Sequence, residues 1–352
     1  MAITSSFNNK PNQQISPEPS PADLKYEEDF KSNSSDSSLR PKSFDNYIGQ
    51  PKLRQILDIA ISAALKRNDI SSIGHILLYG PPGLGKTSCA YLLAKALGTN
   101  AHIFSAPALE RPKDILGILM SVSEGDVVFI DEIHRINKIT EELLYPALED
   151  FQIDLSSGKG NSSRMMRLDI NKFILVGATT KLGYLSAPLR DRFIHVHRME
   201  YYDAQELALI IKQSANILEI NIETEAALCL AQASRGTPRI ANRLLRLVRD
   251  YASHLNQNII KLETSQKALD LYKIDHFGLD SMDRRILELI QDTYKGGPTG
   301  LESLASLTGE DKMTLEDYYE PFLIQSGFLV RTQRGRMITD KAKEYLKLSR
   351  DQ

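Results

Sequence analysis

Apolar positions in this chain follow two rhythms, and the dominant one changes along its length. From about residue 76 to residue 180, short apolar runs alternate with segments whose apolar residues recur every three or four positions. The runs Ile76–Tyr79, Ala101–Phe104, Val127–Ile130 and Phe173–Gly177 have few polar interruptions and read as strands covered on both faces. Lys52–Leu65, Ser88–Leu97, Lys113–Met120 and Thr140–Leu148 carry the helical period. Strands alternating with helices predict an α/β fold, a parallel sheet covered by helices.

Beyond Met199 the strand-like runs stop and the helical period continues to about Asp275, which predicts an all-helical second domain. A third pattern follows. Ser281–Gln291, Leu301–Leu307 and Asp311–Gln325 read as short helices. Gly327–Arg331, a tight turn at Gln333–Gly335 and Arg336–Thr339 read as a small hairpin. Helices followed by such a hairpin predict a winged helix-turn-helix. The first 38 residues are rich in Ser, Asn, Pro and acidic residues, and a segment so poor in large apolar side chains cannot offset its ordering entropy. The predicted organisation is a disordered tail over 1–38, an α/β domain over 39–201, a helical domain over 202–275 and a winged helix over 276–350. There are no internal repeats.

A length of 352 residues suits two or three domains. The formal net charge is -2, so the chain is no polycation and any nucleic-acid contact must come from a local basic patch. The two cysteines, Cys89 and Cys229, lie far apart and suggest neither a metal pair nor a disulfide framework. No apolar run is long enough to span a bilayer, and the amino terminus lacks the pattern of a secretory signal. A cytoplasmic protein without a membrane segment is expected.

The chemistry begins at Gly80-Pro81-Pro82-Gly83-Leu84-Gly85-Lys86-Thr87, which fits the phosphate-loop pattern G-x-x-x-x-G-K-[ST] between a predicted strand and a predicted helix. Glycines at that spacing let backbone N–H groups ring an anion, and the next helix points its positive end at the same place. Lys86 is placed to reach the β- and γ-phosphates and Thr87 to ligate magnesium, with Ser88 behind them. A glycine-rich turn alone is common; strand, loop and helix together are not.

Val127–Ile130 ends in Asp131-Glu132. Open parallel sheets gather ligands at the carboxyl ends of their strands. Asp131 is expected to hold magnesium and Glu132 to polarise the attacking water. Thr180 ends the next strand, where a hydroxyl can meet a γ-phosphate. Arg192, in Pro188-Leu189-Arg190-Asp191-Arg192-Phe193, reads either as a surface ion pair or as an arginine finger delivered to a neighbouring subunit. Thr237 is a good N-cap and Pro238 a good first helical residue, which puts Arg239 at a helix start. A cation gains nothing from the helix dipole there, so contact with phosphate is the sharper reading. His195 and His197 share a face and read as structural. His134 lies close enough to the acidic pair to support it.

In the third unit, the segment where a recognition helix is expected carries Glu310, Asp311, Glu316, Asp317 and Glu320, which phosphates repel. The hairpin and tail are basic, with Arg331, Arg334, Arg336, Lys341, Lys343, Lys347 and Arg350 against Asp340 and Glu344. That split predicts backbone contact through the wing without base readout. The plainer alternative is a protein-binding winged helix with a solvated basic tail.

These motifs in this order resemble the RuvB family, AAA+ motors that drive branch migration of Holliday junctions. The resemblance spans about Leu39 to Leu346. It adds Leu39-Arg40-Pro41, Tyr47-Ile48-Gly49-Gln50, Asp131–Arg135, Leu144–Phe151, Gly177–Thr180, Arg235–Leu245 and Glu320–Leu329 to the loop itself. It implies an AAA+ phosphate-loop domain, a helical lid and a winged helix, with ATP and Mg2+ as cofactors. Leu39, Arg40, Tyr47 and Ile48 would form the adenine pocket, closed by Tyr202. Gly80, Gly83, Leu84 and Gly85 would cradle phosphate, with Thr180 the first sensor, Arg192 the trans finger and Pro238-Arg239 the lid sensor. Residues 151–168, with Gly158-Lys159-Gly160 at the tip, would form a β-hairpin gripping the partner RuvA. Arg331 and Arg336 would touch DNA phosphate. The implied assembly is a homohexamer acting with RuvA, and with the RuvC resolvase, on Holliday-junction and duplex DNA. Two other classes stay in view: a nucleotide-gated loader that barely hydrolyses, and a protein-remodelling AAA+ enzyme.

Overall fold

The computed structural model describes residues 38–157 and 164–350. Residues 1–40 and 41–352 form separate units, and the described part of the first is the turn at Ser38–Arg40. Of the predicted tail, residues 1–37 lie outside the described residues.

Five parallel strands make the central sheet: β1 (Ile76–Tyr79), β2 (Ala101–Ser105), β3 (Val127–Asp131), β6 (Ile174–Thr179) and β7 (His195–Arg198). Their order is β2-β3-β6-β1-β7. The intervening pair, β4 (Gln152–Ser157) and β5 (Arg164–Asp169), forms a separate antiparallel hairpin, as the resemblance implied. The Gly158-Lys159-Gly160 tip lies outside the described residues. Residues of β1, β3 and β6 are buried almost throughout, which is why their sequences are apolar without alternation.

The two sheet faces bury different helices. One packs against α1 (Pro51–Arg67) and α2 (Lys86–Leu97), in a core that runs on through Leu207, Ile211, Leu230 and Leu244 of the next domain. The other packs Leu77, Val128 and Leu175 against α3 (Pro112–Ser121) and α4 (Lys138–Glu149). A one-turn helix, α5 (Ala187–Arg190), follows β6.

The second domain is α6 (Ala204–Ile217), α7 (Thr224–Gln232), α8 (Pro238–His254) and α9 (Leu262–Leu271). It is not purely helical. Two-residue strands β8 (Asn221–Ile222) and β9 (Ile259–Ile260) pair in parallel, too short to mark the sequence pattern. Asp203 starts α6 with a reciprocal capping box to Glu206, which satisfies two of the free N–H groups at the helix start.

The third domain is α10 (Ser281–Tyr294), α11 (Leu301–Thr308), helical residues 312–325 (α12) and the antiparallel wing β10 (Leu329–Thr332) and β11 (Gly335–Ile338). A π-turn over Leu315–Tyr319 interrupts α12. The basic tail is itself a helix, α13 (Asp340–Arg350), which buries Ala342 and Leu346 against Leu287, Leu323 and Phe328. Among the described residues, no helix is long and apolar enough to cross a membrane.

Candidate functional site

β1 sits between β6 and β7, and β3 lies beside β6, so the chain leaves β1, β3 and β6 at one end of the sheet. The sequence puts its chemical groups at that end: Gly80–Thr87 after β1, Asp131-Glu132 at the end of β3, and Thr179-Thr180 at the end of β6.

The phosphate loop depends on its glycines. Gly80, Gly83 and Gly85 have φ of 138°, 83° and 97°, a region that strains side-chain-bearing residues. A Cβ at Gly80 would meet the Met199 carbonyl oxygen at 2.9 Å, and one at Gly83 would meet Arg239 Cβ at 3.0 Å. Lys86 opens α2, is buried, and its Nζ donates to the Gly80 and Pro81 carbonyls at 2.8 and 2.9 Å. Burial holds its ammonium below the ordinary lysine value, with Asp131 and Glu132 pulling the other way. Burial likewise raises the Asp131 carboxyl. A partly dry pocket that disfavours both charges suits a polyanion with a cation. Thr87 Oγ1 and the Asp131 carboxylate are hard oxygen donors of the kind magnesium takes.

Glu132 occupies the left-handed region at φ 49°, and its N–H donates to Asp131 Oδ1 at 3.0 Å. Its carboxylate accepts from Thr180 Oγ1 at 3.1 Å, with the Thr180 N–H at 3.4 Å. His134 Nδ1 lies 3.2 Å from Glu132 Oε2 and 2.8 Å from Thr179 Oγ1. Burial keeps this imidazole below the ordinary histidine value.

The lid closes over the loop. Tyr202 is buried and donates to the Leu84 carbonyl at 3.2 Å. Burial pushes its phenol up to about 12. Tyr47 is buried on the same side, its hydroxyl 3.5 Å from where a Cβ on Gly85 would lie. Ile48 and Pro238 are half-buried nearby in sequence. Thr237 caps α8 through Ile240 N–H, and the Arg239 N–H donates to the Gly83 carbonyl at 3.4 Å. Arg239 is exposed at the loop, close enough for its charge to bear on Lys86 and Asp131. Leu39 and Arg40 belong to the other unit.

Arg192 is elsewhere. Its guanidinium stacks 4.2 Å from the Tyr145 ring, donates to the Pro188 carbonyl at 2.6 Å and pairs with Glu149 at 3.1 Å. Tyr145 and Ser186 are both hydrogen-bonded to Glu141, which steadies this cradle. Sequence reasoning had marked Arg192 but not its cradle.

The wing departs from its expected form. Arg331 is exposed and pairs with Glu316 at 2.7 Å. Arg336 is only 8% exposed and turned inward, donating to Glu320 at 2.8 Å. A count of charges cannot distinguish the two: Arg336 is held by Glu320 in a buried pair, whereas Arg331 is exposed. The acidity of α12 is thereby explained: Glu316 and Glu320 face the protein's own wing, and Asp317 pairs with Lys181 of the α/β domain at 3.0 Å.

A second ion cluster was missed. Arg235 donates to Asp283 at 2.6 Å, Asp280 at 3.0 Å and the Gly278 carbonyl at 2.8 Å, with Phe322 stacked at 4.4 Å. It joins the lid to α10. The reciprocal capping box of Asp280 and Asp283 was the available signal.

A phosphate loop with an acidic strand end, a lid carrying an arginine to that loop and an appended winged helix define a P-loop ATPase of the AAA+ class. Within that class the assignment is specific. Residues 39–199 match the Holliday junction DNA helicase RuvB P-loop domain, 202–275 the RuvB AAA lid domain and 276–347 the RuvB C-terminal winged helix domain. The chain belongs to the RuvB family. It is 50% identical over 339 residues to the Holliday junction branch migration complex subunit RuvB of Crocosphaera subtropica, covering 96% of this chain and 95% of that protein. The Synechocystis sp. protein of the same name is 49% identical over 354 residues, covering 99% and 97%. The solved Thermotoga maritima RuvB Holliday junction branch migration motor is 46% identical, with a TM-score of 0.78 over 88% of this chain and 98% of that one.

Proposed function

We propose that this chain is an ATP-driven DNA motor subunit that drives branch migration of Holliday junctions in recombination and repair. The observation that carries the reading is the convergence of Lys86, Asp131, Glu132, Thr180 and Arg239 on one end of the sheet, in a chain that is RuvB-like throughout its three domains.

The roles follow from chemistry. Gly80, Gly83, Leu84 and Gly85 present backbone N–H groups to the phosphates, and Lys86 exchanges its carbonyl partners for phosphate oxygens. Thr87 and Asp131 hold magnesium, which neutralises phosphate charge when bound. Ser88 continues the helix start behind them. Tyr47, Ile48 and Tyr202 enclose the base. Glu132 takes the proton of the attacking water, and Thr180 orients Glu132 and the γ-phosphate. Pro238 sets the start of α8, so that Arg239 contacts phosphate from the lid. Arg192 serves the site of a neighbouring subunit, which requires it to leave Tyr145 and Glu149. Arg331, exposed on the wing, contacts DNA phosphate, and Arg336 holds the wing to α12.

The working form is a homohexameric ring in the cytoplasm, acting with RuvA and serving the RuvC resolvase. The test is dissociation of a synthetic four-way junction by this protein with its cognate RuvA, magnesium and ATP. Dissociation requiring both hydrolysable ATP and RuvA is expected. DNA-independent ATPase activity with an intact junction would refute the motor reading and move the substrate to a protein.

A further inference from the structure

One nitrogen of His134 faces two oxygens. Nδ1 is 2.8 Å from Thr179 Oγ1 and 3.2 Å from Glu132 Oε2. The side chain is 12% exposed, and the Tyr184 ring meets it in an edge-type contact with ring centroids 6.3 Å apart. A neutral imidazole nitrogen either carries a proton or presents a lone pair, never both. If Nδ1 carries the proton, Thr179 Oγ1 at 2.8 Å and Glu132 Oε2 at 3.2 Å share it as acceptors. If Nδ1 is bare, it accepts from Thr179, whose oxygen already accepts the Lys181 N–H at 3.0 Å and so has its own proton to give. In that case a lone pair faces a carboxylate oxygen at 3.2 Å, which repels it. The tautomer therefore decides whether the ring holds Glu132 or pushes it.

The local backbone gives the ring something to hold. Glu132 sits at φ 49°, a strained position for a residue with a Cβ. Its carboxylate is fixed from one side by Thr180 Oγ1 and N–H at 3.1 and 3.4 Å. His134 supplies the second side, from the one-turn segment Ile133–Arg135 that follows Glu132 directly.

We infer that His134 is a positioning residue: its Nδ1–H and the Thr180 hydroxyl together fix the Glu132 carboxylate in the orientation from which it takes the proton of water. This rests on Glu132 being the general base. The Thr179 oxygen accepts from the same Nδ1–H, so the end of β6 and the acidic strand end are joined through one imidazole.

The test separates donor chemistry from bulk. An Asn amide can place an N–H where Nδ1–H lies, whereas Leu fills similar volume without a donor. His134→Asn is expected to keep kcat for ATP within about threefold of wild type. His134→Leu is expected to lose roughly 10- to 100-fold in kcat, the scale for a misplaced reacting group, with KM for ATP within about twofold. Equal loss in both variants, or a change confined to KM, would overturn the proposal. A measurement on the unmutated chain needs no variant to be active. In full-length protein with 15N-labelled histidine and no nucleotide, the ring signal that vanishes in His134→Asn is expected to show the Nδ1–H tautomer, and an Nε2–H tautomer would overturn the proposal. Glu132→Gln tests the other reading separately: if it keeps wild-type hydrolysis, the general-base assignment fails whatever the tautomer of His134.

Discussion

Removing Arg235 should destabilise the protein, and by an amount that grows with pH. Asp283 is fully buried, and its Oδ2 accepts from both Arg235 and the Asp280 N–H, at 2.6 and 2.9 Å. Its Oδ1 has no hydrogen-bond partner among the described residues, so a proton has a place to sit. Burial pushes the carboxyl up to about 7, Arg235 holds it down and Asp280 raises it further. A carboxyl raised in the folded state stabilises the fold at low pH and loses that contribution as pH climbs to the folded pKa. In wild type the loss is complete just above about 7. In Arg235→Ala the carboxyl rises further, so the loss continues. Breaking a buried pair costs about 3–5 kcal/mol while the remaining charge stays ionised, and protonation of Asp283 relieves part of that near neutrality. Above wild type's pKa each pH unit adds about 1.4 kcal/mol to the deficit, on the order of 2 kcal/mol between pH 6.5 and 8.5. With a urea slope of roughly 2 kcal/mol/M, the midpoint gap between variant and wild type widens by ~1 M. Urea unfolding followed by far-UV ellipticity at the two pH values measures it. The widening should vanish in Arg235→Ala/Asp283→Asn. A gap independent of pH in the single variant, or one that persists in the double, would refute the reasoning.

The remaining predictions concern the reaction and the DNA. Lys86→Ala should abolish nucleotide binding in a fluorescent-nucleotide titration; wild-type affinity would remove the phosphate-loop assignment. Arg192→Ala should bind ATP yet hydrolyse it poorly, and mixing it with Glu132→Gln should restore some turnover at mixed interfaces; absence of rescue at every ratio would count against a finger acting in trans. Arg331→Ala should weaken duplex binding alike for all sequences and flatten its salt dependence by roughly one unit, whereas a sequence-selective loss would mean that the wing reads bases. Glu316→Gln should tighten the same binding, because it frees Arg331 from its 2.7 Å partner; unchanged affinity would mean that Arg331 does not meet phosphate.

Legibility in the sequence tracked the range of the interaction. The phosphate loop and the Asp131-Glu132 strand end were readable because backbone geometry and chemistry there are set by consecutive residues. The strands of the parallel sheet were readable because burial on both faces leaves unbroken apolar runs. The β4–β5 hairpin was not, since Gln152–Ser157 and Arg164–Asp169 alternate charges such as Asp154 and Arg167 that pair with each other across the ladder; only family resemblance supplied it. Arg235 and Asp283 lie far apart in the sequence, and the burial that makes them matter exists only after two domains dock.

Arg331 and Arg336 show the same limit most sharply, because they face each other across the wing ladder and yet have opposite fates. Arg336 is held by Glu320 in a buried pair, where removing one partner strands a charge, so it behaves as structure. Arg331 is exposed, and its pair with Glu316 is worth about 1 kcal/mol or less in water, so a phosphate can take it over. Glu316 precedes Asp317, whose partner Lys181 follows Thr180 directly in the chain and donates its N–H to Thr179. The acidic helix that argues against base recognition therefore has another use. Its Glu316 and Glu320 offset the charge of the wing, and Glu316 lies one residue from the contact that ties the winged helix to the end of β6.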